Sequence, residues 1–166
     1  MGPRRLCFTA AVDPIQVRQA ERDDALGVAA LVLAMDREDG ADARPGFLTE
    51  YADAWLLDVD RRPTWLAEES DGNPVGLVQT AMVRKLPSLR RPTTAWMHVA
   101  LVFVRPTHRG RGIAERMLRD AVEWGVAQGV ERFQLNAEPK ARTLYERVGF
   151  TAPGERLMEL RVPPRP

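Results

Sequence analysis

Apolar and polar residues alternate over Ile15-Gln16-Val17-Arg18-Gln19-Ala20, the period-two pattern of a half-buried strand. The period then lengthens. Asp23 or Asp24 can cap a helix whose apolar positions Val28, Leu31, Val32 and Met35 share one face. An acidic stretch follows, with Asp36, Glu38, Asp39 and Asp42 around Gly40. Pro45 suits a first helical turn, and Phe47, Leu48, Tyr51, Ala52, Trp55 and Leu56 predict a second amphipathic helix. Thr64–Glu69 and Val75–Arg84 are strand-like runs joined by the turn cluster Ser70-Asp71-Gly72-Asn73-Pro74, which predicts a hairpin. Beyond the polar loop Lys85–Thr93, Thr94–Val104 is the longest strand, and its apolar end predicts burial on both faces. Ala114, Met117, Leu118, Ala121, Val122 and Gly125 mark a third helix from Ile113, closed by Gly129. Glu131–Asn136 reads as a short strand, Pro139–Val148 as a short helix and Arg156–Val162 as a final strand. Helices mixed with a run of hairpin-connected strands predict an α+β fold with a mixed sheet, not a fully alternating α/β one.

No repeat at a period of about 20–50 residues interrupts this order, which excludes solenoids and propellers. A chain of 166 residues predicts one domain, since two would leave each half short of core. Its expected limits are 15–162, with an N-terminal extension at 1–14 and a proline-rich tail at 163–166. No apolar stretch approaches the roughly 20 residues of a membrane span, and the first residues lack the apolar core of a secretion signal. The expected setting is therefore cytoplasmic, with no membrane partner. The single cysteine, Cys7, cannot form an internal disulfide and reads as an idle thiol in the extension. A net charge of +1 argues against a duplex nucleic-acid partner, which calls for a strongly basic domain.

The chemistry concentrates in Val102-Phe103-Val104-Arg105-Pro106-Thr107-His108-Arg109-Gly110-Arg111-Gly112-Ile113-Ala114. A buried strand ends at Pro106, and a glycine-rich turn leads directly into a helix. The first backbone N–H groups of any helix lack intrahelical partners, and the helix dipole adds partial positive charge there. Gly110 and Gly112 carry no Cβ, so an anion can approach those N–H groups, and Arg109 and Arg111 add charge-assisted donors. This combination suits a phosphate or pyrophosphate. A Walker loop fails because Ile113-Ala114 follows Gly112 where Lys-Ser/Thr is required. A dinucleotide fingerprint needs a small residue at Glu115 and a strand that opens a βαβ unit, and neither is present. The bland alternative is a glycine-containing connection with solvated arginines.

Two motifs weigh against that alternative. Arg109-x-x-Gly112-x-Ala114 on a strand-to-helix turn resembles the coenzyme-A signature of the GNAT superfamily of N-acetyltransferases. Downstream, Ala141-Arg142-Thr143-Leu144-Tyr145-Glu146-Arg147-Val148-Gly149-Phe150 resembles the second signature of the same superfamily. The resemblance covers roughly residues 15–162 and implies a mixed, mostly antiparallel sheet of about six to seven strands with about four helices. It also implies a splay after the central strand, acetyl-CoA as co-substrate and no metal.

Residue by residue, the resemblance implies that the backbone of Val102, Phe103 and Val104 pairs with the pantetheine arm. N–H groups of Arg109, Gly110, Arg111, Gly112, Ile113 and Ala114 would hold the pyrophosphate. Tyr145 would protonate the departing thiolate; a phenol, with an ordinary pKa of about 10, is protonated at neutral pH. The competing reading of Tyr145 is a core aromatic on an amphipathic helix. Many relatives carry a coenzyme-contacting asparagine at the place of Glu138; Asn136, two residues earlier, is the candidate substitute. Lys140 and Arg142 could meet a 3′-phosphate or simply be solvated.

The attacking amine must lose a proton, and His98, Glu68 and Glu69 are alternative candidates to take it. The implied partner is a small-molecule or peptide amine. The acidic loop around Gly40 would attract a cation, whereas Arg84, Lys85, Arg90 and Arg91 would favour an acceptor bearing an acid group. Homodimerisation is common among relatives and stays open. A non-catalytic acyl-CoA sensor of the same fold is the alternative function.

Overall fold

The computed structural model describes residues 15–90 and 94–155 and the single positions 158 and 160. Its element order is β1 (Gln16–Gln19), α1 (Ala25–Glu38), α2 (Phe47–Leu57), β2 (Thr64–Glu68), β3 (Pro74–Arg84), β4 (Ala95–Val104), α3 (Ile113–Ala127), β5 (Val130–Leu135) and α4 (Arg142–Val148). Up to the last predicted strand this is the order read from the pattern, and the class is the expected mixed α+β one. The sheet has five strands among the described residues, fewer than the six or seven expected; the predicted last strand, Arg156–Val162, lies outside them. One local difference concerns α2, which starts at Phe47 behind Gly46, a left-handed residue at φ 79°, so Pro45 precedes the helix. The chain divides into two compact units, Met1–Asn136 with the sheet and α1–α3, and Ala137–Pro166 with α4. Among the described residues no helix is long and apolar enough to cross a membrane.

The strands lie in sequence order, β1-β2-β3-β4-β5. Neighbours are antiparallel except β4 and β5, which are parallel and joined by the crossover helix α3. Side chains alternate across a sheet, so β3 sends Leu77 to one face and Gly76 to the other. On the first face, Val28, Leu31 and Val32 of α1 and Trp55 of α2 bury Leu66, Leu77 and Phe103. On the second, α3 comes so close that a Cβ on Gly76 would lie 3.1 Å from Met117 Cε. Farther along α3, Trp124 packs with Met82, Met97 and Phe133 and meets the Trp65 ring edge-on at 5.5 Å. Gly125 belongs to this contact, since a Cβ there would sit 2.7 Å from the Phe133 ring.

Two departures from regularity shape β4. Thr80 pairs with Val99 and Gln79 with Leu101, which leaves Ala100 as an extra residue, a β-bulge. The inserted residue turns the following side chains over: Met97 packs with the α3-side cluster, whereas Leu101 and Phe103 pack with α1 and α2. Pairing with β5 ends at Val99↔Leu135, while β4 continues to Val104. The splay implied by the family resemblance is thus present, and it explains why the apolar end of β4 is not uniformly buried. Ala100 is exposed, and Leu101 and Val102 are half-buried.

Candidate functional site

The unpaired half of β4 has its free backbone groups on one edge. Arg105 N–H donates to Val75 C=O at 2.8 Å. Because bonded and non-bonded pairs alternate along an antiparallel ladder, Phe103 then bonds with Leu77 of β3, and Val102 and Val104 turn their N–H and C=O groups away from β3. The three residues expected to pair with a ligand arm therefore divide. Val102 faces the open edge with its main chain, Val104 does so with its N–H while its C=O accepts from Arg109, and Phe103 instead buries its ring under α1 and α2.

Past Val104 a short 3-10 turn, Pro106–His108, reverses the chain. Gly110 and Gly112 both lie in the left-handed region, at φ 74° and 72°. Gly112 is the N-cap of α3 and supplies no capping side chain. The first N–H groups of α3 are left for an external acceptor. A Cβ built on Gly110 or Gly112 meets nothing within 4 Å, so there is open space beside these groups. Ile113 is buried and anchors the helix start, leaving only its backbone for a ligand.

The two arginines of the turn differ. Arg109 donates from Nε to Val104 C=O at 2.9 Å and from both terminal nitrogens to Glu38 at 2.7 Å. Its guanidinium also lies 5.8 Å from the Phe103 ring centre. Arg109 thus ties the turn to the end of α1 and to β4, a positioning role that the residue's charge alone did not suggest. Arg111 is exposed.

The proton-acceptor candidates are spread over the sheet. Glu68 forms an ion pair with Arg18 at 2.6 Å, and the same guanidinium holds Asp24 at 2.7 Å. Glu69 lies in the turn after β2, with Oε1 3.1 Å from His108 Nε2 and Oε2 accepting from Asn73 at 2.6 Å. Those two hydrogen bonds, Asn73 first, hold its carboxyl below the usual range. Thr107 Oγ1 lies 2.9 Å from His108 Nδ1, so Glu69 braces the glycine turn from its N-terminal side. His98 is half-buried on β4, opposite Ala81 and Gln134. From Val104, where the turn begins, it is roughly 20 Å along the strand. Asn136 is exposed directly after Leu135, where β5 parts from β4.

In the second unit, Tyr145 is a buried residue of α4 and packs edge-on against Phe150 at 6.1 Å. Gly149, at φ 109°, ends the helix by donating to the carbonyls of Tyr145 and Glu146. Burial, and then the charge of Glu138, raises the Tyr145 pKa, so the phenol keeps its proton at neutral pH.

A strand with one open edge, a doubly left-handed glycine turn and an uncapped helix start suit a phosphate-bearing coenzyme laid along β4. Residues 29–150 match the family model described as the acetyltransferase (GNAT) family. The chain belongs to this family. Glucosamine 6-phosphate N-acetyltransferase of Trypanosoma brucei brucei is 29% identical over 106 residues, covering 63% of this chain and 71% of that protein. N-acetyltransferase 8F1 of Rattus norvegicus is 27% identical over 127 residues, covering 75% of this chain and 51% of that protein, so the chain spans about half of this relative's length. A predicted acetyltransferase of Clostridium acetobutylicum, solved with acetyl-CoA, shares the fold at a TM-score of 0.72 and 20% identity, covering 89% of this chain and 96% of that one.

Sequence reasoning about this GNAT protein missed the contacts of three polar residues, two of which it had named in other roles. Glu38 receives Arg109 across 71 positions, and no local pattern announces such a pair. His108 was visible only as part of the turn. Gln79 accepts a hydrogen bond from Tyr51 Oη at 2.9 Å and is 4% exposed. A signal for it did exist, because Gln79 and Thr80 interrupt an otherwise apolar run from Val75 to Val83. The charged loops were read as walls of an acceptor cleft. Of these, Asp36 and Asp42 line a small surface cavity with Leu33 and Phe47, Glu38 is engaged by Arg109, and Arg91 lies outside the described residues.

Proposed function

We propose that this protein transfers an acetyl group from acetyl-CoA to a primary amine of a small molecule or peptide, by direct attack in a ternary complex in the cytoplasm. The observation that carries the reading is the continuity between the open edge of β4 and the glycine turn. Val102, and Val104 through its N–H, offer an arm the hydrogen bonds of a missing strand, and the turn from Gly110 through Ala114 offers its N–H groups to a diphosphate, the Arg109 N–H being bonded to Pro106 C=O. The open space at Gly110 and Gly112 is the room such a group requires. Acetyl-CoA supplies the activated thioester.

The chain's own residues supply position and proton transfer. Arg109, held by Glu38, keeps the turn against the strand end. Tyr145 Oη, with its raised pKa, is the acid for the leaving sulfur. Asn136, at the mouth of the splay, contributes a coenzyme contact from the β5 side. Among the proton acceptors we favour His98. It is half-exposed near the bulge, whereas Glu68 is held by Arg18 and Glu69 by Asn73 and His108. Residues 15–162 act as one catalytic domain in this reading.

Calorimetry with CoA, ATP and NAD, followed by thiol release from acetyl-CoA in the presence of primary amines, tests the proposal. CoA is expected to bind and the other two nucleotides not to. Tyr145→Phe is expected to slow turnover more than it weakens CoA binding. Absence of CoA binding at millimolar concentration sinks the reading. CoA binding without turnover of any amine replaces it with the acyl-CoA sensor.

A further inference from the structure

Gln79 Nε2 is the one buried side-chain nitrogen or oxygen among the described residues that has no hydrogen-bond partner. A carboxamide nitrogen carries two donors, and native interiors rarely leave such a group unpaired without a reason. The other end of the same side chain is held firmly, since Oε1 accepts from Tyr51 of α2. Neighbouring polar groups on this face are satisfied: Trp55 Nε1 donates to Thr64 Oγ1 at 3.1 Å, and Thr64 Oγ1 donates to Arg62 C=O at 2.9 Å. The unpaired donor is therefore confined to the position next to the bulge.

Its surroundings indicate what it faces. Gln79 pairs with Leu101, adjacent to the extra residue Ala100, and neighbouring strands lie about 4.8 Å apart. It is the last covered residue on the α1/α2 face of β3. The next same-face position, Ala81, is partly exposed, as are Trp96 and His98 beside it on β4. An arm that starts at the Gly110–Gly112 turn and runs back past Val104 and Val102 brings its acyl end to Ala100. An amine attacking there from the half-open face has Gln79 at its side.

We propose that Gln79, oriented by Tyr51, recognises the acceptor by donating a hydrogen bond to an oxygen adjacent to the reacting amine. The acceptor class is then an amine with a neighbouring hydroxyl or carbonyl oxygen, such as an amino sugar or an aminoacyl group, and not a plain alkylamine or polyamine. This rests on the acetyltransferase reading above.

The test uses full-length protein saturated with acetyl-CoA and four probes: glucosamine 6-phosphate and alaninamide, which carry the oxygen, and propylamine and spermidine, which do not. The wild type is expected to acetylate at least one oxygen-bearing probe with a kcat/KM at least tenfold above both oxygen-free ones. Which of the two it prefers separates a sugar from an aminoacyl source. Gln79→Met should reduce that kcat/KM by about ten- to a hundredfold, mostly through KM, and leave the oxygen-free probes and CoA affinity unchanged. This change removes the unpaired buried donor together with the acceptor of the Tyr51 hydrogen bond, two opposing effects, so the thermal midpoint should shift little, and a purely structural glutamine would not split KM between the two kinds of probe. Gln79→Glu should fail like Gln79→Met, and Tyr51→Phe should lose a smaller factor. The proposal is overturned if Gln79→Met affects all probes equally, if Gln79→Glu improves turnover, or if CoA binds but no oxygen-bearing probe is acetylated. Loss of CoA binding itself would instead strike the parent reading.

Discussion

β4 changes character at Ala100. From Ala95 to Val99 it is paired on both edges, with β3 and β5, and packs Ala95 and Met97 against the α3 side of the sheet. From Leu101 to Val104 it keeps β3 alone, turns Leu101 and Phe103 towards α1 and α2, and leaves one row of backbone groups without a strand partner, with Arg109 holding the Val104 carbonyl. Both halves are largely apolar, with His98 the one polar residue of the first and none in the second. One inserted residue and one missing neighbour separate a strand paired on both edges from one with a free edge. The open half, lacking the second ladder, is held by β3 on one edge and by the packing of Leu101 and Phe103 with α1 and α2.

That contrast can be broken from several sides. The largest effect is expected from Phe103→Ala, which removes the ring that α1 and α2 cover and on which Arg109 rests. Chemical denaturation should show a loss of about 3–5 kcal/mol. A loss below about 1 kcal/mol would mean that the roof does not hold the open half. Gly112→Val comes next. A β-branched residue at φ 72° is strained, and its side chain enters the open space by the helix start. CoA affinity measured by calorimetry should fall about a hundredfold, equivalent to about 2.8 kcal/mol. Gly129→Val carries comparable strain at φ 80° beyond the other end of α3 and is the control, expected to leave CoA affinity unchanged.

On the paired half, Gly125→Ala should destabilise the fold by about 1–3 kcal/mol in thermal melts, because the added methyl meets the Phe133 ring. Helix propensity alone predicts the opposite sign, a gain of about 1 kcal/mol, so the melt decides between packing and propensity. Glu38→Gln is smaller again. Both partners of the Arg109 pair are well exposed, so the stability change should stay below about 1 kcal/mol and shrink at high salt.

The smallest effect concerns acid. Glu69 has its folded pKa lowered from the ordinary 4.5 by Asn73 and then His108. Its contribution to stability is therefore present above that ordinary value and lost as pH falls through the folded value. Glu69→Gln should flatten the drop in melting temperature across that acid window and change little at neutral pH. An unaltered acid limb would show that the turn is not braced through this carboxylate.

Much of the scaffold was legible because periodicity is a local property. The start of α3 at Ile113, the hairpin around Gly72, and Gly149 as the end of α4 follow from residue types whose conformational preferences act within a few positions. The same holds for the turn at Gly110 and Gly112, where only glycine takes the left-handed region without strain. The bulge at Ala100 was not legible, since an extra residue inside a continuous apolar run leaves no change of pattern. The Arg109–Glu38 fork joins residues 71 apart, and Glu68 and Glu69, neighbours in sequence, proved to serve two unrelated networks.

Alternation, glycine placement and two spaced motifs determined the family, the order of the described elements and the position of the glycine turn before α3, all of which depend on short-range geometry. Tertiary structure alone decided which backbone groups remain free, which arginine is already engaged, and that Gln79 is buried with an unpaired donor. Those outcomes depend on what a distant part of the chain brings to each group, and a one-dimensional string does not record which partner arrives.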